Sequence, residues 1–223
     1  MNSKTDPNLG KKVNEYLVKL GVETPFISEK VARANLTKVD ELTELFTKVW
    51  DTVGLDLLDD SICDTPRRMA KMYINEIYYG LDYNLFPKCT AVENKMGYDE
   101  ILVEKNINVQ SNCEHHGVVI SGLATVGYFP GKKVIGLSKI NRLVEFFSKR
   151  PAIQERLTEQ IYHALSLILE TKDVAVVIEA EHYCVKSRGI RDVGSSTLTS
   201  RLGGRFLLPE VRSEFFSLRH GTR

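Results

Sequence analysis

The chain has 223 residues, 43% hydrophobic and 26% charged, an ordinary globular composition with enough length for one large core or two small ones. Its 30 Lys and Arg balance 29 Asp and Glu to a formal charge of +1, which excludes coating a polyanion over a broad basic face, so no nucleic-acid partner is expected. No apolar stretch approaches the roughly 20 residues of a membrane span, and the N-terminus, MNSKTDPNLGKK, lacks the apolar segment of a signal peptide, so no membrane partner and a cytoplasmic location are expected.

Residues 1–95 read as a helical N-terminal region. Leu9, Val13, Leu17 and Leu20 share one helical face that Gly21 closes, and the stretch from Pro25 to Ala34 reads as a connector. Thr37 and Asp40 resemble a capping box ahead of Leu42, Leu45, Phe46, Val49, Trp50 and Val53, with Gly54 as the stop. Asp64 or Thr65 caps a third helix with Pro66 at its first position, a stripe of Met69, Met72, Tyr73 and Ile77, and Gly80 at its end. Leu81 to Met96 reads as a loop.

Residues 96–223 change period. Ile101, Val103, Ile107 and Val109 alternate around a polar break at Asn106, and Leu123 to Phe129 makes a second strand. Two helical stripes follow, Ile140, Leu143, Val144, Phe147 and then Ile153, Leu157, Ile161, Leu165, Ile168. Strands return at Val174 to Val185 and around Ser196 to Arg201, before a short helix from Glu214 to His220. The order predicts an α+β fold, an antiparallel four-stranded sheet with two helices on one face. Its two unpaired edges need protection or pairing with another subunit.

The chemistry concentrates in Cys113-Glu114-His115-His116 and His182-Tyr183-Cys184, which hold two of four cysteines and three of five histidines. Thiolate and imidazole are the usual zinc ligands, and three protein ligands would leave a fourth position for water, the mark of a catalytic site. Spacing leaves the set open, since His115 or His182 could ligate in place of His116. The bland alternative is packing in a sheet interior, which is costly for polar groups without partners. Cys63 and Cys89 have no histidine nearby and read as structural, and His163 and His220 as surface or packing residues.

A basic constellation accompanies these segments. Ser138-Lys139-Ile140-Asn141-Arg142 opens a helix, with Ser138 a plausible N-cap and Lys139 and Arg142 on one face, a fitting anion site. Lys186 to Asp192 follows Cys184 directly and brings Arg188 near it. A metal hydroxide beside several cations suits a phosphate-bearing substrate, whereas the alternative is a solvated charged face. Gln154-Glu155 starts the next helix, where a carboxylate can accept two N–H bonds from a guanine edge or merely complement the helix dipole.

Four blocks in this order, Cys113-Glu114-His115-His116, GLSKINR from Gly136 to Arg142, Gln154-Glu155-Arg156-Leu157 and HYCVKSRGIRD from His182 to Asp192, resemble the GTP cyclohydrolase I family. TPRRMAKMY from Thr65 to Tyr73 is similar to that family's N-terminal region, so the resemblance covers nearly everything beyond about residue 35. It implies that Cys113, His116 and Cys184 bind Zn2+, that His115 and His182 move protons, and that Ser138 belongs to the catalytic group. Gln154, Glu155, Lys139, Arg142, Arg188 and Arg68 would bind the substrate, GTP. Zinc-activated water would add to C8 and open the imidazole ring, C8 would leave as formate, and an Amadori rearrangement with ring closure would give 7,8-dihydroneopterin triphosphate for folate or tetrahydrobiopterin-type synthesis. The resemblance further implies a tunnelling-fold catalytic domain over 96–223. Sheets would join across subunits into a barrel, in homodecamers of two stacked pentamers with Arg68 reaching a neighbour's triphosphate.

Two other classes compete with this one. A nucleoside deaminase would want His-x-Glu and then Pro-Cys-x-x-Cys, and the chain has neither. A zinc-stabilised nucleotide-binding module without catalysis would use four protein ligands and unfold without metal.

Overall fold

The computed structural model describes residues 4–220; the side chain of His220 lies outside that description. The first helix, α1 (Pro7–Leu20), starts where the Asp6 carboxylate accepts from the Leu9 N–H at 3.0 Å, and it ends at Gly21 with φ +71. Val13 and Leu17 are buried as the spacing predicts, but Leu20 is exposed. Gly10 is required by contact, because a Cβ there would collide with the Tyr83 carbonyl.

A short α2 (Ser28–Val31) interrupts the connector, and α3 (Asn35–Val53) follows, closed by Gly54 at φ +93. The expected capping box does not form. The helix begins two residues before Thr37, behind Ala34, and the Asp40 carboxylate bonds Arg67 at 3.0 Å instead. Next comes α4 (Thr65–Met72), with Pro66 in its first turn and no side-chain cap from Asp64. It passes into a π-helical turn over Tyr73–Ile77, which displaces the later side chains from the α-helical stripe. The stretch expected as a loop contains a 3₁₀ turn, Tyr83–Leu85, and a strand, β1 (Ala91–Glu93).

The main sheet has five strands rather than four. Antiparallel neighbours run in the order β2 (Leu102–Cys113), β3 (Val119–Tyr128), β6 (Val174–His182) and β7 (Thr197–Leu202). Beside β2, parallel to its last residues, lies β5 (Pro151–Ala152). Two residues beginning with proline carry no periodicity, and Pro151 brings no N–H to a ladder, so this strand has no sequence signature. A further strand, β4 (Lys133–Ile135), pairs with β1. The polar break at Asn106 is a bulge: Asn106 has φ +59 and the β2–β3 register shifts between Glu104 and Ile107. Strand β6 stops at His182, and Tyr183–Lys186 turn into a short helix, α7.

Both long helices, α5 (Leu137–Ser148) and α6 (Gln154–Leu169), share one core with Val174, Val176, Ile178 and Ala180 of β6. Val13, Leu17, Tyr83 and Phe86 from the first part belong to that same core. The opposite face is not left bare, as the expectation of helices on one face implied. Ala175 and Val177 pack with Phe129, Leu202, Phe206 and Phe215, the last carried by α8 (Pro209–His220), which starts five residues earlier than predicted. Apolar residues at every position from Val174 to Ile178 follow from this two-sided burial. Among the described residues no helix is long and apolar enough to cross a membrane.

Candidate active site

One end of the sheet assembles the thiols and imidazoles. Strand β2 ends at Cys113, and the chain reverses through a turn in which the Gly117 N–H donates to the Cys113 carbonyl at 2.8 Å, with Gly117 at φ +65. Glu114, His115 and His116 sit on that turn. Strand β3 pairs with β2 on one side and with β6 on the other, aligning Ile120 with His182. This register carries Cys184, just past the end of β6, to the turn. Ligand atoms of Cys113, His116 and Cys184 all lie within 4.8 Å of one another.

The donor set fits a tetrahedral zinc ion. Zinc–sulfur bonds of about 2.3 Å and zinc–nitrogen bonds of about 2.0 Å at tetrahedral angles separate the two atoms by roughly 3.6 Å, and Cys113 Sγ lies 3.8 Å from His116 Nδ1. His115 Nδ1 is equally far from that sulfur, at 3.8 Å, but it is the His116 nitrogen that also reaches Cys184. Burial, then the hydrogen bond and charge of Cys113, push the Cys184 thiol up. Two adjoining sulfurs oppose each other's ionisation, and a cation between them would relieve that opposition.

His182 stands beside this group in a defined tautomer. Its Nε2 lies 2.7 Å from the amide oxygen of Gln154, and the Gln154 amide nitrogen faces Ile178 O, Thr197 O and Thr199 Oγ1 at 3.0, 3.0 and 3.1 Å. Three acceptors around the nitrogen settle which end of the amide is which. His182 therefore donates from Nε2, and Nδ1 is left as the free base. Burial lowers its pKa, partly opposed by the charge of Glu155. Gln154, 1% exposed, is spent on holding His182 and the sheet.

The other expected residues divide. Arg188 is at the site, its Nη1 3.0 Å from His116 Nε2. Glu155 is exposed and, with Arg156, Thr158, Glu159, Thr199 and Ser200, lines a cavity of about 390 Å³. The α5 cluster is elsewhere. Ser138 is not an N-cap: Gly136 holds that position and Ser138 lies inside the first turn. Asn141, with its amide oriented to satisfy both ends, bonds Glu104 at 3.2 Å, which puts the start of α5 beside the start of β2. Glu104 and Cys113 are nine residues apart on that strand, roughly 30 Å at about 3.3 Å per residue. Lys139 and Arg142 thus belong to the far end of the sheet. Arg68 is exposed on α4, 3.6 Å from Asp64.

Three contributors, Glu114, Tyr73 and Tyr78, are not among the expected site residues. Glu114 joins the turn to α6 through Arg156 at 2.5 Å, while its N–H donates to Ala152 O at 3.1 Å. Tyr73 and Tyr78, turned by the π-helical segment, bring their hydroxyls over Gly117, and burial, then the neighbouring Tyr73 and Cys113, raise the pKa of Tyr78. The sequence places Tyr73 in the buried stripe of the third helix and leaves Tyr78 outside it. Cys63 is exposed, Cys89 is buried against the Lys139 carbonyl at 3.6 Å, and all four cysteines are free thiols. His163 packs edge-on against Tyr16 and Tyr162.

The comparisons with known proteins bear on this arrangement directly. A family model described as GTP cyclohydrolase I matches residues 42–220. A protein of Shewanella amazonensis (strain ATCC BAA-1098 / SB2B) named GTP cyclohydrolase 1 is 53% identical over 92% of this chain and 94% of its own. Another of that name, from Shewanella sp. (strain W3-18-1), is 51% identical over 92% and 95%. A solved structure of the archaeosine synthase QueF-Like in the apo form aligns at TM-score 0.40 and 16% identity, over 47% of this chain and 93% of its own. With its family model matched over most of its length and half its residues shared with such relatives, the chain belongs to the GTP cyclohydrolase I family.

Proposed function

We propose that this GTP cyclohydrolase opens the guanine imidazole ring of GTP by hydrolysis and releases C8 as formate. The ribose then rearranges, and the freed amine closes onto it to give 7,8-dihydroneopterin triphosphate. Zinc is the metal, held by Cys113, His116 and Cys184. The observation that carries this reading is the convergence of two thiols and an imidazole, with ligand atoms within 4.8 Å, beside a neutral histidine. When bound there, zinc supplies Lewis acidity that makes water a nucleophile near neutral pH.

The chain's own residues supply the rest. His182, anchored by Gln154, offers Nδ1 as a proton acceptor, and a lowered pKa keeps it unprotonated near neutrality. His115, exposed on the turn, exchanges protons with the ring nitrogen and the ribose oxygens. Ser138 joins this catalytic group from another subunit. Glu155 accepts N–H bonds from the guanine edge beside its cavity. With Nδ1 on a metal, His116 carries its proton at Nε2 and cannot accept a hydrogen bond there, so Arg188 gives up its present contact and turns to the phosphates. Lys139 and Arg142, at the other end of the sheet, meet the triphosphate of a nucleotide seated in a neighbour, and Arg68 does so from a third direction. Such sharing accords with a ring in which sheet edges pair across subunits into a homodecamer.

Incubating the zinc-loaded protein with GTP should release one formate per fluorescent pterin formed. Chelation should stop that release while the thermal melt survives, because Cys113 is the one donor among the buried residues of the core of α5, α6 and the sheet, which apolar side chains otherwise fill. Unfolding on chelation without any formate release before it would instead identify a zinc-stabilised binding module.

A further inference from the structure

We infer that the buried Glu23–Arg150 pair is a positioning device for the active site, fixing the segment 150–155 from which Cys113 and His182 both take their places. Arg150 is 0% exposed, and its Nη1 lies 2.9 Å from Glu23 Oε1 and 3.4 Å from the Tyr83 hydroxyl, while Nη2 donates to the Gly80 carbonyl. The rings of Tyr83, Phe146 and Phe147 surround the guanidinium at 5.3, 5.0 and 4.7 Å. Glu23 is held in turn by the Tyr83 hydroxyl, by the Thr24 N–H at 2.7 Å and by Gln160 at 3.2 Å. The connector after α1 and the link between α5 and α6 are thereby tied at one point.

Stability alone does not account for this arrangement. Apolar side chains of similar volume in place of a buried ion pair are often neutral or stabilising, and here Arg150 Nε is left without a partner among the aromatic rings. What an ion pair with several fixed acceptors does provide is one backbone position and no other. That position matters because residues 151–155 run directly from it into the site. The Arg150 carbonyl accepts from Ser111 Oγ at 3.3 Å, and Pro151 and Ala152 pair with Asn112 and Cys113. The Ala152 carbonyl takes the Glu114 N–H, Gln154 holds His182, and Glu155 comes next. Five links toward the site therefore fall within the five residues that begin at one buried cation. A displacement near 1 Å at such a segment costs up to about 10²-fold in rate.

The inference rests on the proposed reaction, and its test separates the two. The zinc-loaded full chain is compared with Arg150→Lys, which keeps the cation but not the fork, with Glu23→Gln, and with Leu165→Ala, which weakens the same core at a residue of α6 that is not among the rings around the guanidinium. Assays run well below each melting temperature. Arg150→Lys and Glu23→Gln should lose about tenfold or more in kcat for formate release, and the Co2+-substituted proteins should show a shifted visible spectrum as Cys113 moves. Leu165→Ala should melt lower yet keep the parental kcat and spectrum. Should either pair variant fail to fold, the other carries the comparison. Should both fail, Tyr83→Phe, which removes one bond to the pair and keeps the ring, should show a smaller shift of the same kind. Pair variants that melt lower with parental kcat and spectrum, or a Leu165→Ala protein that loses as much kcat, would overturn the positioning role. Absence of formate release from the parent would sink the reaction instead, and the Co2+ spectra would still decide the positioning.

Discussion

Two polar regions of this chain, both opened by a short motif, end up in opposite situations. The turn Cys113–Gly117 meets the end of β6 and gathers thiols, imidazoles and Arg188 within one chain. The start of α5, with Ser138, Lys139 and Arg142, lies beside the start of β2, at the other end of the sheet. The difference comes from topology. Because β3 pairs with both β2 and β6, everything at the β2–β3 turn is brought to the β6 exit, whereas α5 runs back along the sheet and begins at the opposite end. The three metal-donor candidates are thus together within one chain, while Ser138, Lys139 and Arg142 lie apart from them.

The largest effect that tests this contrast falls on the metal end. Purified protein should hold about one zinc per chain, and Cys113→Ala, His116→Ala or Cys184→Ala should each lose most of it together with turnover. His115→Ala and His182→Ala should keep the metal while turnover falls by roughly 10²- to 10⁴-fold, the usual range for lost acid–base catalysis. Metal content and formate release measured side by side decide it. Zinc loss on removing His115, with retention on removing His116, would reverse the ligand assignment and with it the claim that the centre is built as the geometry indicates.

The legible and illegible parts of the molecule differ in the same way. Where a residue's role is set by its own neighbours in sequence, the pattern is enough to read it. The α1 and α3 stops at Gly21 and Gly54, the bulge at Asn106 and the stripe of α6 are such cases. Where the role is set by a distant partner, local patterns mislead. Thr37 and Asp40 look like a cap, but Arg67 takes Asp40. Pro151 and Ala152 carry no strand pattern, but the end of β2 makes them a strand. Phe215 shows no strong stripe of its own and covers a second sheet face with Ala175 and Val177, where Gly127 leaves room for its ring. At the site, the thiols and imidazoles declare themselves by residue type. The positions of Gln154 on His182, of Arg156 on Glu114 and of Tyr78 over Gly117 exist only in three dimensions.

A second prediction bears on the incomplete end. If the α5 cations serve a neighbour, His115→Ala and Arg142→Ala proteins should each be nearly inactive, for defects that fall in different subunits at any one site. Dissociated and reassembled together in equal amounts, they should regain about a quarter of parental formate release, the fraction of sites that draw an intact residue from each chain in a symmetric ring. No gain over each variant reassembled alone, with mixed oligomers confirmed by mass, would place Arg142 in its own chain's site or in none.

The smallest effect is expected from Lys139, and it sharpens the contrast most finely. Lys139 is half-buried at the start of α5, away from the three metal donors, and if it serves the phosphates its ammonium acts on them as a point charge. A partly exposed pair of this kind contributes roughly 1 kcal/mol at most, so Lys139→Ala should weaken GTP binding by about fivefold and leave guanosine binding unchanged. The loss should shrink as salt rises, because screening removes in the parent what the mutation removes outright. Arg188→Ala makes the informative companion, since Arg188 also stands against His116 Nε2 and its removal should alter metal retention as well as phosphate binding. Calorimetric titration of each variant with GTP and with guanosine at two salt concentrations measures both. Equal losses for GTP and guanosine in Lys139→Ala would mean that the α5 start is a solvated face, and the substrate site would then have to find its cations within the metal end alone.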